Sequence, residues 1–596
     1  MRLLIWVWSL ILFSRAEDGV AAMEVLENVV GYLGIPYAEP PLATKRFEDP
    51  RPLRDEQIIP SEKARPGCFQ MIRGKLELTK DQSEDCLYLS LLLPRNINAD
   101  KKLHVLVFFT NANPDLKELA RRVTPDLGVA QVSFREGPFG FFKNEIHGIK
   151  DILLSLDVIK KKLLPRFGLA GDVTVIGEHD AASLLSFAAD VEGSARSRRR
   201  APTETDTGSF WPQVSLKLTS PSSTASWAEK IETKRTARKA KMNRKRMSNR
   251  VVARFVEVLA PFDRAVFLSG NKYVGRFNER KEVVERNADR LLRATECDLP
   301  SETQALDCLR TKSISEIRNA IGEMKFEEVH GAPFQPLIDG NVKNVFPAIV
   351  ALNTELQKDY LSPEEFDTSY SYTDFKRFLA HIISEKDYSN APLLRRLALY
   401  EYIHSMGDKH DTYFLFEQTR KMILDKHFYA PTFRYAIALN SPQNSVYLLE
   451  HPQQDILYKC FFTTPDDSTE AFCKRFLQYI YRFSTKGAPT DSACDLNNPN
   501  WPALKSIKRD YFLVLNEDGQ VEWEFDFHLR AIAFWEDLVP AMAKIELTGK
   551  REALFEEVSD LTAYEEEDDV QLWHTMEQPD LTEEKALNDM PLHFDL

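Results

Sequence analysis

The sequence predicts an α/β fold built on a large, mainly parallel mixed sheet flanked by helices, and three observations lead there. Short runs rich in Val, Ile and Phe recur along the chain: His104-Val-Leu-Val-Phe-Phe109, Val129-Ala-Gln-Val-Ser-Phe134, Val173-Thr-Val-Ile176, Ala265-Val-Phe-Leu268, Tyr413-Phe-Leu-Phe416 and Tyr511-Phe-Leu-Val-Leu515. Their hydrophobicity is continuous rather than alternating, as in strands covered on both faces. Between the second and third runs, residues 149–164 carry apolar side chains at helical spacing, which suits a crossover between parallel strands. Finally, 596 residues with 43% hydrophobic and 28% charged content give ordinary globular composition and enough chain to bury a substantial core.

The chain opens with Met1-Arg2, an apolar stretch to Phe13 and then Ser14-Arg15-Ala16, the pattern of a signal peptide over residues 1–16. The other reading is a buried N-terminal element. No later stretch reaches the ~20 apolar residues of a membrane span, so a secreted, extracellular protein is expected. Seven cysteines fit that compartment. Cys68 and Cys86 bracket one loop, and Cys297 and Cys308 a tight one. Cys460, Cys473 and Cys494 form an odd set whose pairing stays open. No Asn-x-Ser/Thr acceptor with a permitted middle residue occurs. A formal net charge of -13 argues against nucleic acid or anionic lipid as a partner of the whole molecule.

Residues 192–250 break the pattern. Arg196, Arg198, Arg199 and Arg200 are followed by a Lys/Arg-rich stretch over 230–250, and the segment holds 15 basic and 5 acidic residues. So polar a composition cannot bury enough surface to order itself, which predicts a disordered basic insertion. It reads as a solvated loop, as a docking arm or dibasic processing site, or as translated non-coding sequence. Residues 548–596, with Glu565-Glu-Glu-Asp-Asp569, read as an acidic C-terminal tail.

Local motifs then carry a resemblance. Gly34-Ile-Pro-Tyr-Ala-Glu-Pro-Pro41 with Arg46-Phe47, Glu84-Asp-Cys-Leu-Tyr-Leu89, Phe134-Arg-Glu-Gly-Pro-Phe-Gly-Phe141, Phe262-Asp-Arg-Ala-Val-Phe-Leu-Ser-Gly270, Phe334-Gln-Pro-Leu-Ile-Asp-Gly340, Phe483-Ser-Thr-Lys-Gly-Ala-Pro489, Trp501-Pro502 and Phe534-Trp-Glu-Asp-Leu-Val-Pro540 fall in one order. Together they resemble the type-B carboxylesterase/cholinesterase family. The resemblance implies a single α/β-hydrolase domain over residues 17–547, interrupted by the insertion, with Cys68 paired to Cys86 and Cys297 to Cys308.

The same resemblance places the family's nucleophile. A Gly-x-Ser-x-Gly elbow puts a serine on a tight strand-to-helix turn between small residues. The run Val173-Thr-Val-Ile-Gly-Glu-His-Asp-Ala-Ala-Ser183 has that form, with His179 where the family has serine and Ala181 for the second glycine. Upstream, the glycine-rich oxyanion loop corresponds to Phe109-Thr-Asn-Ala-Asn-Pro114, which has no glycine and ends in a residue without an N–H. Glu355 in Leu352-Asn-Thr-Glu-Leu356 matches the acid position, though Leu356 stands for the usual glycine. His451 before Pro-Gln-Gln-Asp-Ile-Leu-Tyr458 matches the base position with one extra residue. If both are equivalent, a His–Glu hydrogen bond is expected; otherwise His451 is an exposed loop histidine.

Acyl transfer needs an activated nucleophile and donors for the oxyanion, and one lost donor alone costs ~3 kcal/mol of barrier. The expectation is therefore a pseudoenzyme of the carboxylic-ester hydrolases that binds a protein partner. The resemblance adds a homodimer through the helical segment 531–543, as in the family's noncatalytic adhesion proteins. The alternatives are a residual ester hydrolase with an unusual nucleophile and a carrier of an apolar ligand. His179, His451, Glu355 and Asp180 lack the spacing of a zinc site, and there is no phosphate-binding loop, so no metal or cofactor is expected.

Overall fold

The computed structural model describes residues 23–191, 260–504 and 511–544, apart from 62, 73–74, 98–101, 113, 144, 168, 170, 275–280, 325–332, 338–341, 357–368 and 491–499. The leader 1–16, the basic insertion 192–250, the tail 548–596 and Cys494 lie outside the described residues.

Eleven strands form the main sheet: β1 (Met23–Leu26), β2 (Val29–Pro36), β3 (Tyr88–Pro94), β4 (His104–Phe109), β5 (Leu127–Val132), β6 (Val173–Glu178), β7 (Arg264–Leu268), β8 (Ala348–Asn353), β9 (Val446–His451), β10 (Tyr511–Leu515) and β11 (Val521–Phe525). Their spatial order is β1-β2-β3-β5-β4-β6-β7-β8-β9-β10-β11. Pairing is parallel from β5 through β10 and antiparallel at both ends. This is the large, mainly parallel mixed sheet flanked by helices of an α/β-hydrolase fold.

The physical cause is the one read from composition. Every residue of β5, β8 and β9 is buried, and β4 and β6 each have one partly exposed end. Helices therefore cover both faces, and Phe108, Ile176, Val266, Ile349, Leu449, Phe476 and Trp501 meet in one core. The helix His147–Val158, continued by Ile159–Leu163, supplies the crossover into β6. One expected strand is corrected: Tyr413 to Phe416 lie inside the helix Thr412–Leu424, capped by Asp411, whose side chain accepts from the Phe414 N–H. Four apolar residues in a row fit one helical turn as well as a buried strand, and here the cap decides.

The chain divides into two compact units, one running to Glu355 and resuming over Pro431–Phe527, the other formed by Leu356–Ala430 and the chain from His528. The second is helical. Phe375, Leu379, Leu394, Leu415, Met422, Phe534 and Trp535 build its core, and the Trp535 Nε1–H donates to the Tyr402 hydroxyl at 2.8 Å. In the segment 531–543, Ala531, Ile532, Phe534, Trp535 and Val539 are buried within this unit.

Three disulfides are present: Cys68–Cys86, Cys297–Cys308 and Cys460–Cys473. The third ties the helical turn Leu457–Phe462 to the helix Glu470–Lys486. Two buried ion pairs lock the N-terminal signatures. Arg135 holds Asp151 through Nε at 2.8 Å and Nη2 at 2.7 Å, and Arg46 holds Glu84 through both Nε and Nη2 at 2.6 Å. Arg46 Nη1 also reaches the carbonyls of Leu309, Arg310 and Lys312, next to the second disulfide. No helix among the described residues is long and apolar enough to cross a membrane.

Candidate functional site

Strand β6 ends at Glu178 and a helix begins at Asp180, leaving His179 alone to make the turn. It does so at φ 51° and ψ -118°, a left-handed conformation that non-glycine residues adopt only under constraint. The constraint is visible. The His179 N–H donates to the Leu268 carbonyl of β7 at 2.8 Å, and its carbonyl accepts from the Ser183 N–H at 3.1 Å and the Ser183 hydroxyl at 3.2 Å. A Cβ on Gly270 would come within 2.0 Å of the His179 oxygen, so only glycine lets the two chains approach. This strand–turn–helix geometry is that of a nucleophile elbow.

Glu178 fastens a second loop to the turn. Its carboxylate accepts from the Ile456 N–H at 2.7 Å and the Leu457 N–H at 3.0 Å, where the turn Leu457–Phe462 begins. Burial raises its pKa, against the pull of His179 and of those two amides. The loop carries Asp455, itself at φ 52°, whose Oδ1 stands 3.8 Å from His179 Nε2. Burial works against an imidazolium at His179, but Asp455, Glu178 and Asp180 outweigh it and hold its pKa above the ordinary value. His179 lowers that of Asp455 in return. The His179 side chain is 32% exposed and that of Asp455 66%, so the pair is partly screened by water.

His451 closes β9, and the register sets Asn353, at the end of β8, opposite it. The Thr354 N–H donates to the His451 carbonyl at 2.9 Å. Glu355 follows, its N–H bonded to Asn353 Oδ1 at 2.7 Å, while Asn353 Nδ2 donates to the Gln453 carbonyl at 3.1 Å. The fold thus brings the two sequence-expected positions onto neighbouring strand ends. It does not join them: among the described residues neither ring nitrogen of His451 has a partner in full hydrogen-bond geometry, and the residue is 1% exposed. Both readings made from the sequence, the His–Glu bond and the exposed loop histidine, are corrected here. The reason is register: β9 carries the ring into the interior, and the polar bridge between the loops runs through Asn353 instead. Burial first, and the nearby His179 charge, push the His451 pKa down to about 3, with the Gln453 backbone opposing.

The loop after β4 faces the same end of the sheet. The Thr110 N–H donates to the Val132 carbonyl at 3.1 Å, the Ala112 N–H to Thr110 Oγ1 at 3.1 Å, and the Asp115 N–H to the Phe462 carbonyl at 3.3 Å. Asn111 is buried, its Oδ1 accepting from the N–H groups of Cys68 and Phe134 and its Nδ2 donating to the Phe134 carbonyl. Sequence reasoning passed over Glu136, which follows β5. Burial, and then the Asp180 carboxylate, raise its pKa to about 8, against a contribution from Asn111. The signal was present as an acid between Arg135 and the apolar Gly137-Pro-Phe-Gly140.

A cluster of ligating groups, Asp49, Glu145 and His147, lies elsewhere, and there the Lys150 ammonium takes both Asp49 oxygens at 2.6 and 2.7 Å.

A model described as the carboxylesterase family matches residues 19–204 and 251–535, breaking inside the basic segment. Human carboxylesterase 3 is 30% identical over 193 residues, 28% of this chain and 33% of that protein. The crystal protein of Dictyostelium discoideum is 30% identical over 176 residues, 27% of this chain and 32% of that protein. Human thyroglobulin is 34% identical over 126 residues, 20% of this chain and 4% of that protein. The matches thus span no more than about a third of the length of these relatives. With the sheet order, the elbow geometry and the family match in agreement, the chain belongs to the carboxylesterase family.

Proposed function

We propose that this chain is a secreted, noncatalytic member of its family that acts by binding a protein partner, with His179 at the position of the serine nucleophile. The observation that carries the reading is the residue on the strained turn: an imidazole stands there, ion-paired to Asp455. Two further features support it. A triad base must be hydrogen-bonded to an orienting acid, and among the described residues no acid bonds the His451 ring. An oxyanion hole needs N–H groups aimed at the reacting oxygen, and those of Thr110, Ala112 and Asp115 are spent within the fold. Similar proteins include some whose names denote no esterase, thyroglobulin and the crystal protein. Export rests on the apolar N-terminus and on three disulfides, which persist in oxidising compartments. Two copies would pair through residues 531–543, where Leu538 is exposed.

The test is incubation with an organophosphonate probe and a generic acyl ester. No labelling and no hydrolysis above background are expected, and His179→Ser should restore neither, because the N–H groups of Thr110, Ala112 and Asp115 are already bonded within the fold. Covalent labelling at one residue, abolished by heating, would establish the hydrolase alternative. Lipid co-purified with the protein and seen by mass spectrometry would establish the carrier.

A further inference from the structure

The far end of the sheet carries a feature that the elbow does not explain. Strand β11 is last in the sheet order, so its outer edge pairs with no other strand among the described residues. Such an edge presents a row of backbone N–H and C=O groups, which proteins usually blunt with charge, proline, a bulge or a covering element. Here the strand reads Val521-Glu-Trp-Glu-Phe525. Trp523 is 52% exposed, and with Phe525 it shares one face of the strand beside Tyr511, with ring centroids at 6.1 and 6.3 Å. Glu522 and Glu524 occupy the opposite face. Residues 516–527 hold five acids, Glu517, Asp518, Glu522, Glu524 and Asp526, and no Lys or Arg. An exposed aromatic face backed by carboxylates suits an extended cationic strand. Backbone pairing supplies affinity, Trp523 takes a Lys or Arg head over its ring, and the glutamates take those on the other side.

The chain contains such a strand former. Residues 230–250 hold ten Lys or Arg and one acid, at both odd and even positions, so an extended run presents cations to both faces of the hairpin. Reach is sufficient. The described chain resumes at Ala260, just before β7, and β11 lies four strands away in the sheet, about 19 Å at ~4.8 Å per strand. The nine residues 251–259 span up to about 30 Å when extended. From these observations we propose that the outer edge of β11 is the docking site of the chain's own Lys/Arg-rich run, residues 230–250.

Hydrogen exchange on the full-length protein tests this, comparing it with a variant in which Lys239, Lys241, Arg244, Lys245 and Arg246 are all changed to Glu. The outward amides of β11 should exchange about tenfold or more faster in the variant, or in wild type at 1 M salt, where charge attraction is screened. Adding Glu522→Lys and Glu524→Lys to the variant should restore protection, which a variant that had merely misfolded would not allow. Trp523→Ala should weaken protection with the fold intact by circular dichroism. Equal exchange in wild type and the charge-reversed variant overturns the proposal. So does protection that grows with protein concentration, the mark of a second copy pairing edge to edge. Loss of residues 192–250 from the secreted product, seen by peptide mass mapping, overturns it as well.

Discussion

Around Arg135 and Arg46, each buried charge meets an opposite one in a two-bond pairing, with backbone carbonyls taking the remaining guanidinium hydrogens. Around the turn at His179, the balance is poor: a fully buried imidazole at His451 has no partner in full hydrogen-bond geometry among the described residues, and Glu136 keeps its proton up to about pH 8. One region spends its polar groups on holding the chain together. The other buries polar groups at a cost of roughly 1–3 kcal/mol for each unsatisfied one. Polar groups buried at strand ends with bonds only in part, as at Glu178 and Asn111, have the form of a site shaped for a ligand or reaction rather than for stability.

The comparison can be broken at its strong side first. Arg135→Met strands the Asp151 carboxylate in the interior and should cost about 3–5 kcal/mol by denaturant unfolding at pH 7. A loss under ~1 kcal/mol would remove the contrast. On the weak side, His451→Leu should leave stability at pH 7 unchanged or higher. Its effect on acid sensitivity follows from the sign of the shift. The unfolded histidine takes up a proton below pH ~6.5 while the folded one resists to about 3, so wild type loses stability as pH falls, by about 1.4 kcal/mol per pH unit from this group. The variant should lose about 2–3 kcal/mol less between pH 6.5 and 4.5, and an unchanged slope would return His451 to a bonded role.

Glu136 runs the other way. Its folded pKa of about 8 exceeds the unfolded value, so its favourable contribution is lost as pH rises from ~4.5 to 8. Glu136→Gln should flatten that limb and gain about 1–2 kcal/mol at pH 8, read as a higher Tm. The smallest effect belongs to Asp455→Asn. His179 has a raised folded pKa, so its pairing stabilises fully below pH ~6.5 and fades as pH climbs through that folded value. Since Asp455 is mostly exposed, the loss at pH 6 should stay under ~1 kcal/mol and diminish in high salt, and a larger one would make this pair a structural anchor.

The fold was legible because a two-sided sheet leaves a simple mark, the unbroken apolar run, and β4 and β10 were read to the residue. The same mark misled at Tyr413, where the run is too short to separate strand from helix. It was weak in β9, where the apolar Val446-Tyr-Leu-Leu449 runs straight into Glu450 and His451. At the candidate site, the turn at His179 was legible because its neighbours in sequence make it. The isolation of His451, the role of Asn353 and the protonation of Glu136 were not, because each depends on which strand ends meet across the sheet. The third disulfide was undecidable for the same reason: three cysteines allow three pairings, and only the packing of residues 457–462 on the helix Glu470–Lys486 selects one.

The left-handed backbone at His179 has a mechanical meaning apart from any reaction. A buried strand that must become a helix within one residue needs a sharp corner, and Gly270 and Ser183 press that corner into shape from outside. A side chain held there stores about 1–3 kcal/mol of conformational strain. Under the noncatalytic reading proposed above, that energy serves no reaction, so it is reserve stability the sequence could recover by placing glycine at the corner while leaving the architecture as it is.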